Sequence, residues 1–336
     1  MKALSFFILF FGIVGIGCTP VQQPLESDQK SPPPIIDMHL HAFPVESYNP
    51  LPIKTCAYPT FLPAFDPGTK TRFELLSCDE PLLSATSDAE LIERTLEEME
   101  RHNIIAGVLS GPLESVRKWK QYGKDRIISG ISLTSPNQKT GLTDLRNLMS
   151  SGEIQVLGEV TTQYRGFKPT DPSVEKYFAL AEELDVPVGV HVGLGSPGAA
   201  YTGDPAYRAT LSNPLLLEEV LIRHPKLRLY VQHAGWPMLD EMVHLLYSHP
   251  QVYVDIAVLN WHIPREEFHS YLRRLVEAGF SKRIMFGSDQ MVWPDSIKLA
   301  IEATESAPFL TNQQKRDIFY NNAVRFLRLE ENGESN

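Results

Sequence analysis

Two histidines one residue apart, His39 and His41, end an apolar run in the sequence IIDMHLHAFP, and Asp37 precedes the first of them by two residues. Side chains two apart on a strand point to one face of it, so both imidazoles can bind the same ion. Asp37 points the same way one step deeper, where it could orient the histidines without touching the ion. We therefore predict a metal site at the end of this segment.

Four later apolar runs also end in a side chain that can bind a metal. Glu159 follows VLG, His191 follows VPVGV, His233 follows LYVQ and Asp289 follows RIMFGS. Imidazole and carboxylate donors without a thiolate suit zinc, manganese, iron or nickel in a catalytic site with an open position. Each residue alone also has an ordinary interpretation, as a hydrogen-bonded core residue, a helix cap or an ion-pair partner. Their shared position at the ends of apolar runs favours metal chemistry.

The elements that must position these residues alternate regularly. From Ile35 onward, short runs rich in valine and isoleucine alternate eight times with stretches of helical period. Strand alternating with helix implies parallel strands joined by crossovers, and eight units predict a (β/α)8 TIM barrel. A doubly wound open sheet stays as the alternative. The predicted strands are 35–39, 104–109, 127–133, 155–160, 187–192, 227–232, 252–256 and 283–286. In a barrel, all the candidate ligands meet at the C-terminal mouth, where such enzymes carry out their chemistry.

Local signals mark where the predicted helices begin and end. Ser87 and Glu90 have the spacing of a capping box ahead of an apolar helical face. Proline suits the first position of a helix because its missing N–H costs nothing there, and glycine suits the position just past the end. The prolines at predicted helix starts are Pro172, Pro214 and Pro237, and the glycines at predicted helix ends are Gly152 and Gly279.

One predicted connection is unusually long. Residues 42–86 separate the first strand from the first helix, are rich in proline, and contain Cys56 and Cys78. Loops of this length inside a compact domain are usually functional, so we expect a wall or lid over the mouth. Outside the cytoplasm the two cysteines can pair and stiffen this loop, and two buried free thiols are the alternative.

The N-terminal residues predict export. Residues 1–17 have one lysine and then an apolar stretch too short to span a membrane, which is typical of a signal peptide. A small residue before Cys18 resembles the lipobox of bacterial lipoproteins, in which the cysteine is lipidated. Residues 18–34 are polar and proline-rich, as expected of a tether, and 35–330 form the barrel. This predicts a lipid-anchored protein of the bacterial cell envelope, facing the periplasm or the cell surface. A plain signal peptide or an anchor helix is the alternative.

Composition limits the partners. The 336 residues are 43% hydrophobic and 21% charged, with a formal net charge of -10, as expected of one globular domain. A nucleic-acid partner would require a basic stripe, which an acidic chain of this kind lacks. We expect a small-molecule substrate, contact with a membrane only through the lipid anchor, and either a monomer or a homodimer.

Taken together, these motifs resemble the amidohydrolase superfamily, in particular its amidohydrolase-related branch, which includes decarboxylases and lactonases. The motifs of that branch found here, in its order, are D-x-H-x-H at Asp37, His39 and His41, then Glu159, His191, His233 in HAGWP, and Asp289 in GSD. The resemblance implies a metal held by His39, His41, His191 and Asp289, with Asp289 also able to take a proton from the attacking water. It implies that His233 is an acid/base in mononuclear members and a ligand of the second metal in binuclear ones.

Three hypotheses about function, from different classes, remain open. The first is metal-dependent hydrolysis of an ester, lactone or amide by activated water, and the second is non-oxidative decarboxylation at a single ion. The third is binding without turnover, which is disfavoured because no expected ligand is missing. Glu159 favours hydrolysis, since a strand-four carboxylate is placed to bridge two ions, and the alternative is that Glu159 orients a ligand or a substrate hydroxyl. The expected cofactor is one or two divalent transition-metal ions, with zinc as the first choice.

Substrate contacts are the least determined part of the site. Arg165 follows the fourth strand and could anchor a substrate carboxylate. Trp236, Trp293 and His262 fall in loops at the mouth, where substrate contact and packing are both open. Arg165 and Trp236 are our candidate substrate-binding residues.

Overall fold

A computed structural model describes residues 32–48, 50–59, 68, 78–136, 140–193, 195–201 and 203–329. The predicted signal peptide, Cys18 and the tether up to residue 31 lie outside the described residues. Across these ranges, none of the helices is both long enough and apolar enough to cross a membrane.

Eight parallel strands form a nearly closed barrel with helices between them, which confirms the predicted TIM barrel. The first and last strands meet through two backbone hydrogen bonds, from Met38 N to Phe286 O at 2.9 Å and from Asp289 N to His39 O at 2.8 Å. The strands of the barrel are β1 (Ile35–His41), β4 (Ile104–Ser110), β5 (Ile127–Leu133), β6 (Val156–Val160), β7 (Val188–His191), β8 (Leu229–Gln232), β9 (Tyr253–Asp255) and β10 (Ile284–Met285). A two-stranded antiparallel sheet, β2 (Lys54–Thr55) with β3 (Leu82–Leu83), lies in the long first connection.

Helices pack around the barrel and begin largely where the sequence predicts. They are α1 (Asp88–Arg101), α2 (Leu113–Gly123), α3 (Leu142–Ser150), α4 (Pro172–Glu183), α5 (Glu218–Arg223), α6 (Leu239–Ser248), α7 (Leu259–His262), α8 (Arg265–Leu275), α9 (Ser296–Glu305), α10 (Asn312–Arg316) and α11 (Asn322–Leu327). Ser87 caps α1, its hydroxyl accepting from Glu90 N at 3.2 Å. The Glu90 carboxylate instead accepts from Thr86 N at 2.9 Å, so the capping box is shifted by one residue.

Pro214 begins a 3-10 turn, Pro214–Leu217, that continues directly into α5, and one predicted helix start is wrong. Pro237 does not begin a helix, because α6 starts two residues later at Leu239 with Met238 as its N-cap. The physical reason lies in the preceding turn. A 3-10 turn from His233 to Gly235 follows β8 and directs the chain along the mouth of the barrel before the helix can begin.

The core has two layers. The larger layer fills the space between the strands and the surrounding helices. The second takes residues from six strands and from α11, as expected for the interior of the barrel closed at its lower end by the last helix. Its members are Ile36, Met38, Val108, Ile128, Val156, Tyr230, Met285, Ala323, Val324 and Phe326. A Cβ at Gly189 would lie 2.5 Å from the Tyr230 ring, so only glycine leaves room for this tyrosine.

The long first connection is fastened to the mouth of the barrel. Cys56 and Cys78 form a disulfide with Cα atoms 6.0 Å apart, which is the predicted pairing. The Trp293 indole donates to Ile53 O at 3.1 Å, and Tyr58 N donates to Trp261 O at 2.8 Å. These bonds hold the residues before and after β2 against the loops that follow β9 and β10.

Candidate metal centre

Glu159 lies at the centre of the predicted ligands, buried at the end of β6. Its Oε1 is 3.6 Å from His39 Nε2, 3.6 Å from His233 Nε2 and 3.9 Å from His191 Nε2. Its Oε2 is 3.9 Å from His41 Nε2. Four imidazoles from three strand ends, those of β1, β7 and β8, therefore converge on one carboxylate, as the barrel prediction requires.

Asp289 joins the cluster from the segment after β10. Its Oδ1 lies 2.8 Å from His41 Nε2, which is close enough for an ion pair. The same oxygen nevertheless has no hydrogen-bond partner among the described residues. A short distance without hydrogen-bond geometry is what two ligands of one cation show. At metal–ligand distances of about 2.1 Å, neighbouring ligand atoms lie roughly 3 Å apart.

Two groups of three side chains have ligand atoms close enough to hold an ion: His39, Glu159 and His233, and His39, His41 and Asp289. His39 belongs to both groups. Its Nδ1 is 3.0 Å from Asp255 Oδ2, which leaves Nε2 as the ligand atom. One nitrogen binds one ion, so the two groups are overlapping parts of a single centre around His39.

Asp255 is the site residue that the sequence analysis missed. It is fully buried at the end of β9, and besides holding the His39 ring it accepts from His233 N at 2.8 Å. A carboxylate that fixes the ring nitrogen opposite the ligand nitrogen sets the tautomer and direction of a metal-binding histidine. The signal was present in the sequence, because Asp255 ends the apolar run VYVD as the other candidates end theirs.

Asp37 acts on the backbone. Its Oδ1 accepts from His39 N at 2.9 Å and from Ser288 N at 3.0 Å, so it ties the end of β1 to the segment that carries Asp289. The prediction that Asp37 orients the histidines therefore needs a correction in detail, since the ring of His39 is held by Asp255. The register of β1 shifts between Asp37 and Leu40, and this irregularity breaks the simple alternation on which the prediction relied.

His191 lies at the edge of the cluster. The Gln163 amide nitrogen is 2.5 Å from His191 Nδ1 and 2.9 Å from His191 O, and the Tyr164 hydroxyl is 3.5 Å from His191 Nε2. His191 is in neither of the two groups of three, so its role as a ligand stays a prediction. Gln163 and Tyr164 carry no pattern in the sequence that would have selected them.

The cluster favours a positive charge at its centre. Burial alone would lower the pKa of His39, but the carboxylates of Asp289, Asp255 and Glu159 raise it to about 10. Burial raises the pKa of Glu159, and the surrounding histidines, His191 first, more than offset this and bring it down to about 2. Asp289 behaves in the same way, since His39 and His41 hold the pKa of its buried carboxyl well below the usual range. Ionised carboxylates around shared imidazoles suit a divalent cation.

The backbone is strained at the mouth. His233, Val258 and Asp289 have φ values of 58°, 60° and 53° and follow β8, β9 and β10, respectively. Residues other than glycine rarely adopt positive φ, and a β-branched residue such as valine does so least readily. Strain of this kind is typical of functional sites, where the surrounding structure holds a side chain in a required direction.

A cavity of about 460 Å³ lies over the cluster and includes His41, Glu159, His191, His233 and Asp289 in its wall. Its other lining residues are Phe43, Tyr48, Lys54, Thr55, Thr134, Thr161, Tyr164, Arg165, Gly195, Ser196, Pro197, Asp204, Val258, Trp261, His262, Met291 and Trp293. A cavity of this size, apolar with a few convergent polar groups, is suited to a small molecule.

Of the two candidate substrate-binding residues, one lines the cavity and the other does not. Arg165 lines the cavity and is more than half exposed, with its guanidinium 4.0 Å from Asp204. Trp236 is not one of the lining residues, and its indole donates to Glu267 Oε1 at 3.0 Å. The structure thus brings Arg165 to the site and places Trp236 against α8. Lys54 and Thr55, which reach the cavity from the disulfide-linked connection, were not predicted.

The chain belongs to the amidohydrolase-2 family, whose sequence profile, described as Amidohydrolase, matches residues 36–329. Among curated proteins, the chain is 23% identical over 168 residues to Protein fluG of Emericella nidulans. That alignment covers 46% of this chain and only 18% of the relative, so the chain spans less than a fifth of that protein.

Solved structures share the fold at low identity. An uncharacterized TIM-barrel protein from Bordetella bronchiseptica matches with a TM-score of 0.63 and 17% identity over 88% of this chain and 99% of that one. A probable 2-pyrone-4,6-dicarboxylic acid hydrolase from Acinetobacter baumannii matches with a TM-score of 0.55 and 15% identity, over the same shares of the two chains. A 5-carboxyvanillate decarboxylase from Novosphingobium aromaticivorans, with bound manganese, matches with a TM-score of 0.57 and 13% identity, over 89% and 98%. These similarities show the fold, and they include both a hydrolase and a decarboxylase.

Proposed function

We propose that the protein is a metal-dependent hydrolase that cleaves an ester, lactone or amide bond of a small molecule. The observation that carries this proposal is the central position of Glu159, with its two oxygens 3.6 to 3.9 Å from four imidazoles. Because its Oε1 faces His39, His191 and His233 and its Oε2 faces His41, this carboxylate is placed to offer one oxygen to each of two cations. Hydrolysis uses such a centre because both the attacking water and the carbonyl oxygen require stabilisation.

When bound, a divalent metal supplies Lewis acidity, which polarises a carbonyl and makes water acidic enough to attack near neutral pH. Asp289 receives the proton of the water, since it is ionised and its Oδ1, although 2.8 Å from His41 Nε2, accepts no hydrogen bond from the described residues. His233 is held by Asp255 through its backbone and lies 3.6 Å from Glu159. With one ion bound, its imidazole could return a proton to the leaving group, whereas with two ions it would be a ligand of the second. Trp261 and Trp293 form part of the cavity wall and limit the entry of bulk water.

We propose zinc as the first candidate for the metal. Imidazole and carboxylate donors suit zinc and manganese alike. His39, His41 and Asp289, together with Glu159, would hold the first ion. A second ion would take His233 and His191 with the Glu159 carboxylate shared between the two.

A non-oxidative decarboxylase is the second candidate. Lys54 and Arg165 support it, because both cations line the cavity and could dock a substrate carboxylate. That reaction requires one ion and no attacking water, and it would give Glu159 a role in orienting the substrate only.

We further propose that the enzyme acts in the bacterial cell envelope as a lipoprotein anchored at Cys18. The sequence of residues 1–34 supports this proposal, as does a disulfide in the described part of the chain, since disulfides persist outside the reducing cytoplasm. Labelling with a fatty-acid analogue in a bacterial host, beside a Cys18→Ser variant, tests the anchor. Equal labelling of the two would reject it.

The decisive experiment on the reaction compares Glu159→Gln with the wild type. Metal content is measured by elemental analysis, and turnover of a panel of esters, lactones and aromatic carboxylates is followed in water labelled with oxygen-18. We expect the metal content to fall from two ions per chain toward one in the variant, with loss of hydrolysis, because a neutral amide cannot balance two cations. If both proteins instead bind a single ion, release carbon dioxide and place no label in the product, the hydrolase proposal is rejected in favour of the decarboxylase.

A further inference from the structure

His262 is a cavity residue that the proposed reaction does not use. It ends α7, the single helical turn that follows β9, and it lines the cavity together with Val258 and Trp261 of the same segment. Its ring lies edge-on against the Trp261 indole, with centroids 5.1 Å apart. It belongs to neither group of possible metal ligands.

One ring nitrogen of His262 lacks a hydrogen-bond partner among the described residues. Its Nδ1 is shielded from solvent and accepts or donates no hydrogen bond there. Leaving a buried polar atom of this kind without a partner costs free energy, so such an atom requires an explanation. Burial lowers the pKa of His262, and Asp289 only partly offsets this, so the ring is neutral at pH 7.

The turn that carries His262 begins at a strained residue and is held in place by hydrogen bonds to the segment that carries Asp289. Val258, just before α7, has φ 60° and ψ -37°, a conformation that a β-branched residue rarely adopts. Asn260 Nδ2 donates to Gly287 O at 2.9 Å and Trp261 Nε1 donates to Ser288 O at 2.7 Å. The two acceptors immediately precede Asp289, so the position of His262 is fixed relative to the reacting centre.

We propose that His262 is a specificity-determining residue that hydrogen-bonds a hydroxyl group of the substrate, beyond the carbonyl that is attacked. A neutral imidazole offers one donor and one acceptor, and a hydroxyl both donates and accepts, so it suits either tautomer. A carboxylate would require a protonated ring, which this site disfavours. This role of His262 rests on the proposed hydrolysis, because the attacked carbonyl at the metal centre sets where the rest of the substrate lies.

The test measures binding, so that it stays separate from turnover. Two inert ring analogues are titrated into the metal-loaded protein by calorimetry: D-gluconolactam, which carries hydroxyls, and δ-valerolactam, which carries none. The variants are His262→Phe, which keeps a planar ring without hydrogen bonds, and His262→Gln, which restores a donor and an acceptor. His244→Phe is the matched control, because His244 is exposed on α6 and does not line the cavity.

We expect His262→Phe to weaken binding of D-gluconolactam about 10-fold, the usual effect of one hydrogen bond, and to leave δ-valerolactam unchanged. His262→Gln should recover part of the loss, and metal content should stay constant in all variants. Equal losses for the two lactams, or wild-type protein that binds D-gluconolactam no more tightly than δ-valerolactam, would overturn the proposal. If the enzyme hydrolyses no ester or lactone but still prefers D-gluconolactam, the proposed hydrolase function is rejected and the role of His262 stands.

Discussion

The lower and upper halves of the barrel interior are built from the same strands and differ completely in chemistry. The lower half contains Ile36, Val156, Tyr230 and Met285, which are nearly solvent-free and are covered by Phe326 of α11. In the upper half, carboxylates and imidazoles that are also buried end or follow the same strands.

The difference shows that burial has opposite consequences in the two halves. In the lower half it removes apolar surface from water, which stabilises the fold. In the upper half it withdraws charged groups from water, which costs free energy unless they are paired with one another or with an ion. Changes in the lower half should therefore alter stability with an intact metal centre, and changes in the upper half should alter catalysis with an intact fold.

Asp289→Asn should have the largest effect. The variant should lose a factor of about 10² to 10⁴ in turnover, roughly 3 to 5 kcal/mol of barrier, because an amide cannot accept the proton of the water. Steady-state kinetics measure the loss of catalysis, and thermal unfolding measures any loss of stability. Asp240→Asn on the exposed face of α6 is the control. An equally large loss of unfolding temperature in Asp289→Asn would remove the distinction between the halves.

Phe326→Ala tests the lower half. Phe326 is 3% exposed and contacts the Tyr230 ring edge-on with centroids 5.4 Å apart, so its removal leaves a cavity under the barrel. We expect a loss of about 3 to 5 kcal/mol in the free energy of unfolding, measured by urea denaturation, with metal content unchanged. Tyr247→Ala is the control, since Tyr247 is 80% exposed and should change stability little. Metal loss from folded Phe326→Ala would contradict the separation.

The disulfide adds a third region, the wall of the cavity. Replacing Cys56 and Cys78 with serine should lower the free energy of unfolding by roughly 3 kcal/mol in the chain-entropy model for a loop of 22 residues. Because Lys54 and Thr55 line the cavity just before Cys56, the KM should rise while metal content stays constant. Denaturation and kinetics on the double variant measure both effects. Two free thiols in the oxidised wild-type protein would reject the bridge.

Gly189→Ala should have the smallest effect of the four. The new Cβ would lie 2.5 Å from the Tyr230 ring, and overpacking of this kind costs about 1 to 3 kcal/mol. Combining it with Tyr230→Leu, which removes the ring, should give a smaller loss than the sum of the two single changes. A strictly additive double variant, measured by urea denaturation, would show that the ring is not what excludes the side chain.

Most of the polar residues of the upper half could be predicted from the sequence. Polar residues that end apolar runs identified the upper half, because a buried strand can end in a charged group only where that group finds a partner. His39, His41, Glu159, His233 and Asp289 were found in this way, and the structure brings them together. The same rule applied to Asp255 would have found it too. Gln163 and Lys54 follow no such rule, since ordinary polar residues occur throughout loops.

The sequence by itself determined the eight strands, most helix starts and the candidate ligands, because periodicity, caps and strand ends are local properties of the chain. Only the tertiary structure decided that Asp255 holds the ring of His39, that Trp236 packs against α8, and that His262 reaches the cavity. These contacts join residues from different units of the barrel. Their geometry depends on how the strands close and on irregularities such as the register shift in β1 and the positive φ of Val258, which local patterns do not encode.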